Sequence, residues 1–528
     1  MDLLEILTAV GASWLRILVA LAVSVLAAVP IGIASALNRR VEWLVVPVLD
    51  VLQSVPILGF FPIAVISLAR VSPVLGPELA SVFLIFTCTF WNFAFGVYES
   101  VRSIPVELRE GIRLWNLPFP ERLTKVYLPA AAPRVLSNLQ PSTANAWFFL
   151  SASEVMVLGR EELRVHGVGY LVEKYAAAGD AASLAVLLSL TLFTIGVVQF
   201  AVYGPIVTKA VEGDFEHEVR LAPPRALVTG ISAIASGFRT FGDAGLGRLA
   251  RMKQIRVPLQ VFHVVQSRVR IVPWVAAVAA VVLGAASVSL AAEYGPDLYE
   301  SLRLGLSRLS GVDWLGVSAA LAVSTARVLA VLAIAAAWSI PVAYFFAVRE
   351  GLRRALLPVV QVIASFPAPL LFPVLAPALA SLGRLGLEGA SILMMLIGSQ
   401  YYVFYSVLSG FMRVDRSYGE LSSLCGLGFG YSLSTIYLPY ALPSLITGAI
   451  TTAGGAWNAT VVAEAVEVGG VVYETPLPGL GKVIAGAALS GDVFSLSVYV
   501  SVMTLFIVAL NRTLWRRLYD WSVGLVAG

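Results

Sequence analysis

The sequence predicts an all-α polytopic membrane protein built from two tandem five-helix repeats plus one extra linking transmembrane helix. Three observations carry that expectation. Apolar runs are long enough to span a bilayer, basic residues concentrate in alternate loops, and the second half of the chain repeats the first. The 528 residues are 58% hydrophobic and only 13% charged, with a mean hydropathy of +0.85. A soluble domain carries about 25% charge, so this chain has more apolar surface than a soluble core could bury.

Apolar runs near 14–37, 44–69, 79–100, 135–158, 182–205, 271–292, 316–345, 356–380, 388–409, 443–466 and 493–511 are the candidate spanning helices, about 11 in all. Proline-rich runs such as VVPVLDVLQSVPILGFFPIAV are expected to be broken, because bundle neighbours can satisfy the freed backbone groups. The first run is too long for a signal core and the acidic N-terminus lacks a basic leader region, so no cleavable signal peptide is expected. With the N-terminus outside, the basic stretches at 39–40, 102–134, 209–270, 349–354, 413–416 and 512–517 all fall inside, and the C-terminus is cytoplasmic. That asymmetry accounts for the net charge of +4 without nucleic acid.

The duplication is read from paired residues. Arg16 and Arg327, Pro47 and Pro358, and Ser54 and Ser365 keep one spacing. Glu110 and Glu420, Pro129 and Pro439, Trp147 and Trp457, and Glu154 and Glu464 keep a spacing one residue shorter. Gly167-x-Gly169 recurs as Gly479-x-Gly481, and Asp180 as Asp492. The expected organisation is a first repeat at 10–205, a cytoplasmic basic linker at 206–270, an extra helix at 271–292, an external segment at 293–315 and a second repeat at 316–517. The extra helix restores orientation, so the repeats are parallel and related by an axis along the membrane normal. Within the linker, GLGRLARMKQIR suits a segment lying on anionic lipid, with a regulatory binding role as the alternative.

Cys88 lies in an apolar run and Cys425 in a polar loop, so neither a disulfide nor a metal pair is expected. His166, His217 and His263 lack ligand spacing. Arg16 and Arg327 sit at outer helix ends, where snorkelling to the interface is preferred over attracting an anion. Glu154 and Glu464 are read as capping or packing groups rather than gates. Trp147 and Trp457 are read as packing or interface anchors. Asn458-Ala459-Thr460 matches a glycosylation sequon inside an apolar run and is set aside.

The duplicated inner loops carry the chemistry. EGIRLWNLPFPERLTKVYLP begins at Glu110 and ELSSLCGLGFGYSLSTIYLP at Glu420. Each predicts a short amphipathic helix, a Gly/Pro turn and a second short helix ending at Leu–Pro, which together form a knob on the cytoplasmic face. Pro129 and Pro133 are expected to separate the first knob from the next spanning helix.

These loops resemble the EAA loop of binding-protein-dependent ABC transporter permeases of the type I importer fold. The family pattern is Glu-Ala-Ala, a Gly six residues after the Glu, and Leu-Pro eighteen and nineteen residues after it. Glu420, Gly426, Leu438 and Pro439 match it; Glu110, Leu128 and Pro129 match it, with Asn116 in the place of Gly. The Ala-Ala pair is absent: Gly111-Ile112 stands in one copy and Leu421-Ser422 in the other. The Ala-Trp, Glu and Gly-x-Gly signatures after the loop look most like the nitrate, sulfonate, taurine and bicarbonate branch.

The resemblance implies a multi-pass plasma-membrane permease subunit for a small anion. It implies two ABC ATPase subunits beneath the loops and an extracytoplasmic solute-binding protein above, with ATP and Mg held by the ATPase. The chain itself lacks a GxxxxGK[ST] segment and is not expected to be an enzyme. Duplicated permeases for ferric iron or thiamine are the alternative. A secondary carrier is a remote one, because charges near mid-helix are scarce apart from Asp50.

Overall fold

The computed structural model describes residues 2–53, 57–59, 61, 75–114, 117–155, 165–205 and 308–527. The linker 206–270, the extra helix 271–292, most of the external segment and Asn116 lie outside the described residues. Both repeats belong to one compact unit, residues 1–225 with 317–528. Of the second unit, Ala226–Gly316, only residues 308–316 are described; there the Trp314 indole donates to Leu309 O at 3.2 Å.

The first repeat opens with α1 (Leu3–Leu37), which starts well before the expected residue 14. The Asp2 carboxylate accepts the Leu4 and Glu5 N–H groups, and Ile6, Ala9 and Val10 continue the buried stripe upstream of the long apolar run. There follow α2 (Arg39–Gln53), α3 (Gly76–Arg102), the short α4 (Val106–Leu114), α5 (Leu128–Val155), α6 (Val168–Ala177) and α7 (Ala181–Val197). The second repeat runs α8 (Trp314–Val348), α9 (Glu350–Ala364), α10 (Phe372–Ala380), α11 (Gly383–Met412), α12 (Arg416–Leu424), α13 (Leu438–Ala463), α14 (Leu480–Ser490), α15 (Val493–Leu510) and α16 (Arg516–Ala527).

Among the described residues seven helices are long and apolar enough to cross a membrane, and a bent pair raises this to eight. The bent pair is 350–364 with 368–380, folded by 73° at Ser365–Pro367, which is the break expected of a proline-rich run. The equivalence of Asp180 and Asp492 acquires a physical meaning: each carboxylate caps the last long helix of its repeat, accepting Ser183 N–H at 3.0 Å and Ser495 N–H at 3.2 Å.

The proline stretch after the first knob departs from expectation. Pro129 and Pro133 do not stop the helix. A single turn, Phe119–Arg122, passes into a π-helical segment, Leu123–Tyr127, and then directly into α5. Phe429–Ser432, the π segment Leu433–Tyr437 and α13 repeat this order. A proline in an α-helix collides with the carbonyl four residues back. Here the Leu128 N–H reaches Leu123 O and the Leu438 N–H reaches Leu433 O, five residues back, so the helix widens just before each Leu-Pro pair. The buried Tyr127 and Tyr437 anchor the two wide turns. Tyr127 packs among Ile33, Val97 and Val101. Tyr437 meets Tyr344 and Phe411 edge-on, with ring centroids 5.0 and 5.7 Å apart.

A hairpin that the sequence reading did not anticipate, β1 (Ala465–Val468) with β2 (Val471–Glu474), follows α13 in antiparallel register, Val468 facing Val471. Its two-residue turn is Gly469-Gly470, with φ of 61° and 80°, the left-handed pair that favours glycine in tight hairpins.

The long helices meet through small residues, as expected where lipid gives no hydrophobic drive for helices to associate. α1 and α3 touch at Gly32, where a Cβ would come within 2.8 Å of Ala94 O and Val97, and are bridged by Ser24 and Thr89 hydroxyls 2.7 Å apart. α11 and α13 touch where Gly448 faces Ser406 and Gly410 faces Ala441. Gly448→Leu is therefore expected to destabilise the purified protein by about 1–3 kcal/mol, the usual range for overpacking, lowering its melting temperature. Gly486→Ala, whose Cβ would meet nothing within 4 Å, should leave the melting temperature the same or slightly higher.

Candidate functional site

Three features stand out, and the helices order them along their length. The knobs lie at one end, the Arg/Glu residues that the sequence pairs lie at the other, and a cavity lies between.

The Arg/Glu end is built twice from the same side chains. In the first repeat Arg16 bridges two acids: Nε and Nη2 reach Glu78 at 2.5 and 2.7 Å, and Nη1 reaches Glu154 at 2.9 Å. In the second, Arg327 Nε and Nη2 reach Glu388 at 2.9 and 2.8 Å, and Nη1 lies 2.9 Å from Glu464 in an ionic contact without hydrogen-bond alignment. Arg16 is 6% exposed and Arg327 4%, so neither snorkels; each is buried against two carboxylates, which corrects the sequence expectation.

The capping expectation for the glutamates describes their geometry. Ser13 and Ser324 donate to Glu154 and Glu464 at 2.8 and 2.6 Å, and accept Val168 N–H and Leu480 N–H at 3.0 and 2.8 Å. The glutamates also accept Gly169 N–H at 2.7 Å and Lys482 N–H at 3.0 Å. Two of the unpaired donors at the start of α6, and two at the start of α14, are thus satisfied from other helices. The Gly-x-Gly signature follows from crowding. A Cβ on Gly167 would sit 2.1 Å from Glu154 Oε1, and one on Gly479 2.1 Å from Glu464 Oε2. Glu78 and Glu388 were missed in the sequence, although they keep the spacing of Glu154 and Glu464; both lie near the start of a spanning helix with no motif around them.

Nearby, Lys174 on α6 donates to Glu5 at 2.6 Å, and that bond holds the ammonium pKa above the ordinary lysine value. Trp147 is fully buried edge-on to Trp14 at 5.3 Å, which is a packing role.

At the knobs, Glu110 is exposed on α4 and Gly111 half-buried. The Arg109 guanidinium ties α4 back to α3 through Ile104 O at 2.8 Å and Arg102 O at 3.1 Å. In the second copy Glu420 lies on the backbone of α12. Gly426 has φ +65°, and the Leu427 N–H bonds Ser422 O at 2.9 Å, the pattern of a glycine-terminated helix end. The Asp415 carboxyl, before α12, accepts the Ser417 N–H, which holds its pKa below the usual aspartate value. Leu114 and Leu424, equivalent in the two copies, are 85% and 84% exposed at the tips. Leu128-Pro129 and Leu438-Pro439 sit where the π turn becomes α5 or α13.

Between the two ends a cavity of about 670 Å³ separates the repeats, walled by α3 and α5 on one side and α9, α11, α13 and the end of α15 on the other. Tyr402 OH donates to Asn145 at 2.7 Å, and Asn458 accepts the Ile57 N–H at 2.8 Å, so both bonds cross from one repeat to the other.

The family of binding-protein-dependent transport system inner membrane components matches residues 28–204 and again 339–521. The chain belongs to this family. It is therefore a duplicated, inner-membrane permease protein. Similar proteins include the bicarbonate transport system permease protein CmpB of Synechococcus elongatus, 26% identical over 30% of this chain and 54% of the relative. The nitrate import permease protein NrtB of the same organism is 24% identical over 32% of this chain and 54% of its own. The taurine transport system permease protein TauC of Escherichia coli is 28% identical over 31% and 55%. The chain spans about half the length of each of these relatives.

Removing one partner of a buried ion pair leaves an uncompensated charge, at a typical cost of about 3–5 kcal/mol. Arg327→Met should therefore destabilise the protein strongly in thermal unfolding. Adding Glu464→Gln should recover part of the loss, and an unchanged double variant would show that Arg327 acts through Glu388 alone.

Proposed function

We propose that this chain forms the translocation pathway of an ATP-driven importer for a small anion, working with two ATPase subunits and an extracytoplasmic solute-binding protein. The observation that carries the reading is the pair of equivalent knobs, each ending in an exposed leucine at the same position of its repeat. A large exposed apolar side chain at each of two repeat-related tips suits a partner offering two equivalent sockets. Glu110 and Glu420 would meet basic groups of the ATPase, and Gly426 would set the angle of its knob. ATP and Mg would be held by that partner. Asn116 in place of Gly in the first copy supports unequal contributions from the two knobs.

The test is co-expression and co-purification with an ABC ATPase subunit of the source organism, followed by solute-stimulated ATP hydrolysis in proteoliposomes. Leu424→Asp should abolish co-purification or cut stimulation at least about tenfold, as expected when a buried contact acquires a charge. Gly426→Val, which costs about 1–2 kcal/mol in the left-handed region, should uncouple without unfolding the membrane body. If both variants assemble and respond like the parent protein, the knobs are not the coupling elements.

A further inference from the structure

The two knobs are fastened to the helices around them by different chemistry. At the base of the second knob the contacts are aromatic. Phe429, in the turn that precedes the wide segment, stacks on Phe345 of α8 with centroids 5.2 Å apart and planes within 5°. Tyr344 meets Phe429 edge-on at 5.1 Å and also meets Tyr437. Tyr437 in turn touches Phe411 on α11. Arg349 lies over the Phe345 ring, 5.5 Å from its centroid. Five rings thus run from the second knob onto α8 and α11.

The first repeat has no such chain. Ile33, Ala34 and Val101 stand at the positions of Tyr344, Phe345 and Phe411, so Phe119, the counterpart of Phe429, has no ring in the place of Phe345. Charge holds this end instead. Glu42 on α2 accepts from Tyr98 OH at 2.6 Å and from Arg102 at 2.7 Å, both on α3. Arg134 on α5 reaches Glu99 on α3 at 3.4 Å. Arg109 ties α4 to the end of α3. The second repeat keeps none of these bonds: Arg353, Ser409, Met412 and Gly419 stand for Glu42, Glu99, Arg102 and Arg109.

The two fastenings differ in stiffness. Arg102, Arg134 and Glu99 are more than half exposed in their ion pairs, and exposed pairs are weak and screened by salt. Ring pairs gain energy beyond the area they cover, and salt does not screen their packing. The aromatic chain also reaches a second long helix. Arg327 lies on α8 about 27 Å from Phe345 at 1.5 Å per residue, so movement of the second knob is passed toward the Arg/Glu end through α8 as well as α13.

We propose that the second knob is the stiff, transmitting one, that Phe345 and Tyr344 are positioning residues which lock it to α8, and that the first knob rides on an ionic fastening that yields. The transmission deepens the importer reading and rests on it; the difference in fastening stands without it.

The fastening is tested by hydrogen exchange on the full-length protein in lipid nanodiscs. Raising KCl from about 50 to about 500 mM shortens the screening length about threefold. Exchange should quicken at least about threefold in α4 and residues 119–127 and change less than about twofold in α12 and residues 429–437. Phe345→Ala should quicken exchange over 429–437 about tenfold and leave 119–127 unchanged, while Phe345→Trp keeps the parent rate. Phe345 is 37% exposed, so its truncation leaves the fold standing. Transmission is tested in proteoliposomes with an ABC ATPase subunit of the source organism. Phe345→Ala should co-purify and hydrolyse ATP without solute like the parent, yet lose at least about fivefold of the solute stimulation, the low end of a typical coupling energy. Phe345→Trp should restore it, and Arg102→Gln, which opens the ionic fastening, should keep stimulation within about twofold of the parent. Equal salt responses at the two knobs would overturn the difference in fastening. Parent-like stimulation in Phe345→Ala, no rescue by Phe345→Trp, or an equal loss in Arg102→Gln would overturn the transmitting role. A parent protein that neither assembles with the ATPase nor is stimulated removes the importer reading and the transmission with it, and exchange still decides the fastening.

Discussion

The buried arginine of each repeat joins three long helices at one point. Arg16 and Arg327 each reach a glutamate on one long helix and a second glutamate on another. Those second glutamates in turn hold the N-termini of α6 and α14, the segments that return the chain across the end of the bundle. A guanidinium inside an apolar body is tolerated only while its partners stay in place. That dependence fixes the relative heights of the long helices and leaves no room for a side chain at Gly167 or Gly479. The same serine, arginine and two glutamates recur in both copies, so the constraint belongs to the repeat and not to either half.

Much of this was legible in the sequence. The spans, the duplication, the knobs and the glycine at 426 follow from local signals: hydropathy, paired spacings and helix-end chemistry. The roles of Arg16 and Arg327 were misread because a charge near a helix end usually reaches water, and the partner that prevents it, Glu78 or Glu388, lies some sixty residues away in sequence. The continuous helix through Pro129 was misread because proline normally interrupts the α ladder, whereas the wide turn before it removes the clash. The hairpin at Gly469-Gly470 carried a readable turn signal that the surrounding hydropathy masked. The cavity was not legible, since its walls come from six helices of two repeats and only their assembly sets side chains such as Trp91 and Tyr405 around one space.

Identity and divergence divide along the helix axis. At the Arg/Glu end the copies keep the same side chains; around the cavity and at the knobs they differ. A duplicated gene permits this. In an assembly of two identical chains every substitution appears on both walls, while here each wall changes alone. The bonds that cross between the walls show it: Tyr402 to Asn145 and Asn458 to the Ile57 backbone are not copies of one another.

Because neither Pro129 nor Pro439 breaks its helix, the path from each knob into the membrane is a single rod with one wide turn near its base. From Leu438 to Asn458 the helix rises about 30 Å at 1.5 Å per residue, which joins the knob to the cavity wall without a flexible linker. Motion imposed at one end of such a rod has no slack to absorb it. The wide turn is the weakest point in its ladder of bonds, so rotation concentrates there and the far end is left to translate or tilt as a whole.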